Sequence, residues 1–171
     1  MVRSLHVTSS TMRLVSEPAI YGVVLVAGLV VVVSNSADAS WDVLVKVLAT
    51  LLVFWSAHVY AGAVSRLGGT FEQDAPTRAR LGAAVGHGLT HSWGMLMAGL
   101  IPLVVLSLGV MGLVRDSVAI WGTLWTAVVV LGLLGWLSVA SWSSRPVWGL
   151  VGAVITSALG VVLILLKAVV Y

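Results

Sequence analysis

The chain contains no cysteine and few charged residues. None of the 171 residues is cysteine, which excludes disulfides, thiolate nucleophiles and cysteine-ligated zinc sites. Only 9% of the residues are charged, against about 25% in a soluble globular domain, and 60% are hydrophobic. A water-soluble fold of this length cannot cover its apolar surface with so few charges. The composition, with a mean hydropathy of +1.10, therefore predicts an integral membrane protein.

Motifs of catalysis are also missing. The sequence has no G-x-S-x-G turn, no P-loop and no G-x-G-x-x-G after a strand. The small basic excess, a net charge of +3, is spread over short loops and does not form the basic patch of a nucleic-acid-binding protein. We therefore expect a non-enzymatic protein with no catalytic residue and no nucleic-acid partner.

The apolar segments predict an all-α fold, a single transmembrane domain built as a bundle of five transmembrane helices. Residues 1–16 lack an apolar signal-peptide core and a cleavage site, and form a cytoplasmic tail. The one long polar connection, residues 65–78, forms a cytoplasmic loop. The predicted spans cover residues 19–36, 41–64, 93–113, 118–140 and 147–169.

The third apolar run is longer than a bilayer needs. Residues 79–113 would extend about 52 Å as a helix, whereas a hydrocarbon core is about 30 Å thick. We place the crossing at 93–113, with Pro102 as a kink. Residues 79–92 then form a helical lead-in at the membrane interface.

The loop charges predict the orientation. Six arginines lie in the tail, the 65–80 region and the turn after the fourth span, whereas the opposite loops contain only Arg115. By the positive-inside rule the N-terminus is cytoplasmic and the C-terminus lies outside, in the plasma (inner) membrane of a bacterium. Small-residue pairs such as Gly82/Gly86, Gly94/Ala98 and Gly149/Ala153 favour close helix packing in the lipid bilayer, within a homo-oligomer or a larger membrane complex.

Ionisable residues inside a membrane protein indicate functional sites. Asp42 and Lys46 share a helix face in the order that favours an ion pair, and Lys167 is close enough to a helix end to reach the interface. Six other polar residues fall near the cytoplasmic ends of the first three spans, beside Trp55 and Trp93. This predicted polar cluster consists of Glu17, Tyr21, His58, Tyr60, His87 and His91.

The histidines leave several hypotheses open. His87 and His91, four residues apart, project from one helix face, and with His58 they form a candidate site for a divalent metal. His58 and a partner are alternatively ligands for haem b. A metal-free cluster relays protons or tunes permeation. The simplest alternative is that these side chains only bind water, lipid headgroups or neighbouring helices.

The sequence thus favours a small membrane protein that moves or gates a small solute or ion and needs no cofactor. The polar cluster would be its site. One alternative is an accessory or structural subunit that packs against a partner. A further alternative is a membrane redox protein or hydrolase that binds metal or haem.

Overall fold

The computed structural model describes residues 17–35, 39–67, 77–141 and 145–170. These residues form five α-helices and no strand. In chain order the helices are α1 (Glu17–Val33), α2 (Ser40–Leu67), α3 (Thr77–Val110), α4 (Asp116–Ala140) and α5 (Pro146–Val170). The N-terminal tail predicted for residues 1–16 lies outside the described residues.

Four helices, α2 to α5, are long and apolar enough to cross a membrane. The fifth, α1, has 17 residues and is equally apolar. A continuous apolar helix satisfies all its backbone hydrogen bonds internally, which is the condition for stability in lipid. The prediction of an all-helical fold is therefore confirmed, and four of its helices could span a membrane.

Helix ends follow the local sequence. Glu17 and Pro18 open α1, where a carboxylate faces the positive end of the helix dipole and proline needs no hydrogen bond. At the end of α3, Gly112 has a φ of +70°, a conformation that favours glycine. The N–H of Leu113 donates to the carbonyl of Leu108 at 3.0 Å, which completes a Schellman cap and stops α3 before Leu113.

The shortest helix lies at the centre of the bundle. α1 packs against each of the other four helices. Only Glu17, Tyr21 and Val32 on it are exposed. The bundle core is therefore filled by small and β-branched α1 side chains, among them Ala19, Val23, Val26, Ala27, Val30 and Val31.

The other helices form two antiparallel hairpins, α2 with α3 and α4 with α5. Glycine sets the closest approach in each. A Cβ on Gly62 of α2 would lie 3.3 Å from the Cα of Gly88 on α3, and one on Gly88 would overlap the carbonyl oxygen of Val59. In the second hairpin a Cβ on Gly152 would lie 2.6 Å from the carbonyl oxygen of Gly135. In both hairpins the two helices therefore touch backbone to backbone where they pass closest to each other.

Two local contacts that the sequence favours are absent among the described residues of a single chain. Gly82 and Gly86 face open space, because the α2–α3 contact uses Gly88, on a different side of α3. Asp42 and Lys46 are both exposed and form no ion pair or hydrogen bond between their side chains within the described structure. An exposed pair gains little from such a contact, which explains why both side chains extend separately.

The α2–α3 hairpin projects beyond the rest of the bundle at one end. Gly22 of α1 packs on the backbone of Met95, so α1 begins about level with residue 90 of α3. Gly122 of α4 packs on Val105, which places the end of α4 near the level of residue 87. At 1.5 Å per residue, the first ten residues of α3 extend about 15 Å past these helix ends.

Candidate functional site: a row of three histidines at the α2–α3 crossing

Three of the predicted site residues, His58, His87 and His91, come together in the structure. The rings of His87 and His91 have centroids 6.0 Å apart and planes inclined by 8°. The rings of His58 and His91 have centroids 6.5 Å apart and planes inclined by 12°. His91 is thus the middle ring of a row, named here the histidine row, of three nearly parallel imidazoles.

The row follows from helix geometry. His87 and His91 are separated by four residues and therefore lie on one side of α3, one turn apart. α2 runs antiparallel to α3 with Gly62 against Gly88, and this register places His58 beside His91. His58 is half-buried, whereas His87 and His91 are exposed. The row therefore lies along the outer edge of the α2–α3 contact.

A guanidinium extends the row. Arg66, in the last turn of α2, has its Nη1 atom 3.3 Å from Nδ1 of His87. Arginine offers only donors, so Nδ1 of His87 accepts this hydrogen bond. In the tautomer that forms this hydrogen bond, the ring proton of His87 is on Nε2. The Nε2–H group remains a donor to whatever binds there.

The row lies where the projecting hairpin joins the bundle. His58 is about 27 Å along α2 from Ser40, and His91 is about 28 Å along α3 from Val110. His87 is one turn further out. The row is therefore separated from Ser40 and Val110, at the far ends of these two helices, by about the 30 Å thickness of a hydrocarbon core.

A buried hydroxyl lies next to the row. Ser92 has no exposed surface, and its Oγ atom has no hydrogen-bond partner among the described residues. It occupies the buried side of α3, next to His91 in sequence and one turn from Gly88. A buried unpartnered hydroxyl costs about 1–3 kcal/mol. Ser92 thus leaves an unsatisfied hydroxyl beside the histidines, and Nε1 of Trp55 on α2 is likewise buried with no hydrogen-bond partner among the described residues.

The other predicted cluster members do not join the row. Tyr60 is 72% exposed and only two residues after His58, so its side chain points away from the α2–α3 contact. Tyr21 is 56% exposed on α1. Glu17, at the start of α1, is also exposed. Within the described structure it makes no hydrogen bond or ion pair with the histidines.

The two predicted tryptophans lie together near the level of the row. Trp55 and Trp93, with Leu89 and Thr90, line an open groove of about 330 Å³. The hydroxyl of Thr90 donates to the carbonyl oxygens of Gly86 and His87, both at 3.0 Å. The groove surface is therefore mainly aromatic and apolar, which suits the interfacial zone of a bilayer.

The arrangement differs from a metal centre. Among the described residues no group of three or more histidine, aspartate or glutamate side chains is placed to hold a metal ion. The ring contacts run from His87 to His91 and from His91 to His58.

Comparison of the chain with known protein families, with curated proteins and with solved structures finds no match. The fold defines a helical protein with four helices able to cross a membrane. What this protein does there is therefore inferred from its own side chains.

Arg66 was not among the predicted site residues. Its charge was used only to predict the orientation of the chain in the membrane. The information was present in the chain. Once His58 and His91 are paired across antiparallel helices, residue 66 of α2 falls opposite residue 83 of α3, within about one turn of His87. A long arginine side chain spans that distance, and the structure shows it doing so.

Proposed function

We propose that this protein moves or gates a small solute or ion across a membrane, with His58, His87 and His91 as its polar site. The observation that carries the proposal is the row itself. Three imidazoles follow one another along the outer edge of the α2–α3 contact, on a bundle whose core is mainly apolar. A neutral imidazole offers both a donor and an acceptor, so a row can bind a solute and pass it on.

The gate in this proposal is the α2–α3 crossing. The interior around α1 is filled by apolar side chains and offers no ready path. The contact between Gly62 and Gly88, by contrast, involves backbone atoms and no interlocking side chains. Two helices with such a contact can slide past each other by small shear movements. A shift there would move His58 relative to His91 and open the unsatisfied Ser92 to the solute.

We propose further that all five helices cross the membrane and that 79–92 of α3 form an interfacial lead-in. α1 extends about 26 Å, close to the thickness of a hydrocarbon core, and is enclosed by protein along its length. The hydrogen bond from Lys167 Nζ to Ser34 Oγ joins the final turns of α1 and α5, which supports parallel crossings. The charge distribution supports a cytoplasmic N-terminus and a row on the cytoplasmic face of a bacterial plasma membrane.

The experiment that tests this function is solute flux in proteoliposomes. Purified protein is reconstituted, and the passage of protons, potassium, chloride and phosphate is followed against protein-free liposomes. The proposal expects flux of at least one of these ions, reduced about tenfold or more by His91→Gln, which removes the middle ring. His6→Gln is the matched control, because it removes the one histidine outside the row.

Two results would contradict the proposal. One is the absence of flux for every ion in a folded, monodisperse preparation, which would favour the accessory-subunit alternative. The other is flux that His91→Gln and His6→Gln leave equally unchanged, because the histidine row would then be irrelevant to passage.

A further inference from the structure

One hydrogen bond, between Arg66 and His87, selects the ring nitrogen of His87 that carries the proton. The Nη1 atom of Arg66 lies 3.3 Å from Nδ1 of His87. A guanidinium has N–H donors and no acceptor, so this contact is a hydrogen bond only when Nδ1 offers its lone pair. The ring proton is then on Nε2. While the bond holds, His87 can donate through Nε2 but has no free lone pair to offer to a ligand.

His87 and His91 have the spacing of a metal-binding histidine pair. They lie four residues apart on one face of α3, and their ring centroids are 6.0 Å apart. Two histidines at this spacing on a helix can bind one divalent transition metal. Each must then be neutral and must give the metal the lone pair of one ring nitrogen. The pair is therefore open to such a metal only if His87 has a free lone pair.

Arg66 blocks both ways in which His87 could bind a metal. A metal on Nδ1 would have to displace the guanidinium from that atom. A metal on Nε2 would require the ring proton to move to Nδ1, where it would meet an N–H group of Arg66. Both routes lose the hydrogen bond between the two side chains. This exclusion depends on that one bond and not on the net charge of the surrounding surface.

We propose that Arg66 is a specificity-determining residue of the histidine row, because it keeps His87 a hydrogen-bond donor and excludes divalent transition metals from the His87–His91 pair. This inference rests on the proposed function and names the class of solute that its site accepts. The Nε2–H group of His87 binds a solute through an acceptor atom such as oxygen. A divalent cation that needs two imidazole lone pairs is rejected.

The test is a calorimetric titration of Zn²⁺ into the full-length protein in detergent, prepared without a histidine tag. Arg66→Met removes the N–H donors and keeps a long unbranched side chain. We expect this variant to bind Zn²⁺ about tenfold or more tightly than wild type, because a charged hydrogen bond no longer competes with the metal. Lys46→Met is the matched control, because it removes one positive charge from an exposed position near the other end of α2. It should change the affinity by less than about twofold.

A double variant identifies the residues that hold the metal. Arg66→Met combined with His91→Gln lacks one member of the histidine pair. It should lose the affinity for Zn²⁺ that Arg66→Met alone gains. Helix content and size-exclusion behaviour equal to those of wild type show that each variant is folded.

A second readout follows the proton on His87 directly. Nitrogen-15 NMR of histidine-labelled protein, recorded without metal, separates a protonated ring nitrogen from one that accepts a hydrogen bond. In wild type the Nδ1 signal of His87, assigned with His87→Gln, should be that of an unprotonated acceptor. It should shift in Arg66→Met and stay in place in Lys46→Met.

The inference is overturned if wild type and Arg66→Met bind Zn²⁺ equally, or if the gain in affinity survives His91→Gln. An unchanged Nδ1 signal in Arg66→Met would also overturn it, because Arg66 would then not hold the proton on Nε2. Neither measurement uses flux, so this failure is distinct from failure of the proposed function. Ion flux that depends on His91, together with equal Zn²⁺ affinities, would retain transport and remove the role of Arg66. Metal exclusion without flux would do the reverse.

Discussion

Two glycines, at positions 62 and 88, determine how the histidines meet. Because neither residue has a Cβ, α2 and α3 approach until the backbone of one touches that of the other. At that separation the side chains that flank the contact are forced into proximity, and His58 reaches His91. The geometry of the row is thus set by residues that have no side chain themselves.

Replacing Gly88 should therefore disturb both stability and the row. In Gly88→Ala the new methyl group would overlap the carbonyl oxygen of Val59, and the two helices must move apart. We expect a loss of about 1–3 kcal/mol in the free energy of unfolding, as for other overpacked sites. Gly82→Ala, on the same helix but facing open space, should be neutral or stabilising by up to about 1 kcal/mol.

The measurement is reversible unfolding in mixed micelles with increasing denaturing detergent, followed by circular dichroism. Equal stabilities of the two alanine variants would mean that α2 and α3 do not touch at Gly88.

Part of this site was predictable from residues alone. The four-residue spacing of His87 and His91 predicts a shared helix face, and the position of His58 near the end of its span predicts a similar depth. The exclusion of Tyr60 follows from its two-residue separation from His58, which turns it away. The contact of Arg66 was not predicted, because it depends on the register between two helices that glycine contacts decide.

Among the elements, α1 differs from the other helices in its surroundings, because it contacts all four of them. Every span of a membrane protein is apolar on all sides, since lipid and protein neighbours both demand it. Periodicity therefore cannot say which helix is central. Eight of the 17 residues of α1 are buried, and their small size lets four neighbours approach. The sequence predicted that α1 exists but not that the bundle forms around it.

A matched pair of glycines tests the docking of α1. In Gly22→Ala the added methyl group would overlap the backbone carbonyl of Met95, which should push α1 away from α3 and lower the free energy of unfolding by about 1–3 kcal/mol. Gly28→Ala, on the same helix, meets no atom within 4 Å and should be tolerated. Proteolysis of α1 in detergent reports its docking.

Protection of α1 should fall in Gly22→Ala and stay at the wild-type level in Gly28→Ala. If both variants resist protease as wild type does, α1 is not held by the contact with Met95.

At the scale of the whole molecule, two hairpins enclose α1. The α2–α3 hairpin is longer than the other and projects past the ends of α1 and α4. The sequence predicted that residues 79–113 exceed a bilayer's thickness. The structure shows one continuous helix from Thr77 to Val110 that projects past its neighbours. The helical lead-in predicted for 79–92 and the crossing predicted for 93–113 thus fall largely within this one helix.

The proposed orientation is testable in a chain that has no cysteine of its own. Single cysteines are introduced at Ser65, near the end of the projecting hairpin, and at Ser117, at the start of α4; both positions are exposed. In intact cells a membrane-impermeant maleimide should label Ser117→Cys and not Ser65→Cys. After the cells are opened, both should be labelled. Labelling of Ser65→Cys and not of Ser117→Cys in intact cells would show that the orientation is opposite to the one proposed.

The central claim is that the histidine row acts as one functional unit. The most direct measurement is a double-mutant cycle of ion flux in proteoliposomes, with His58→Gln, His91→Gln and the combination. If the rings act together, either single substitution already disables the row, and the double variant loses little more than each single one. The account would be contradicted if the fold reduction in flux of the double variant equalled the product of the two single reductions. Flux at the wild-type level in the double variant would also contradict it.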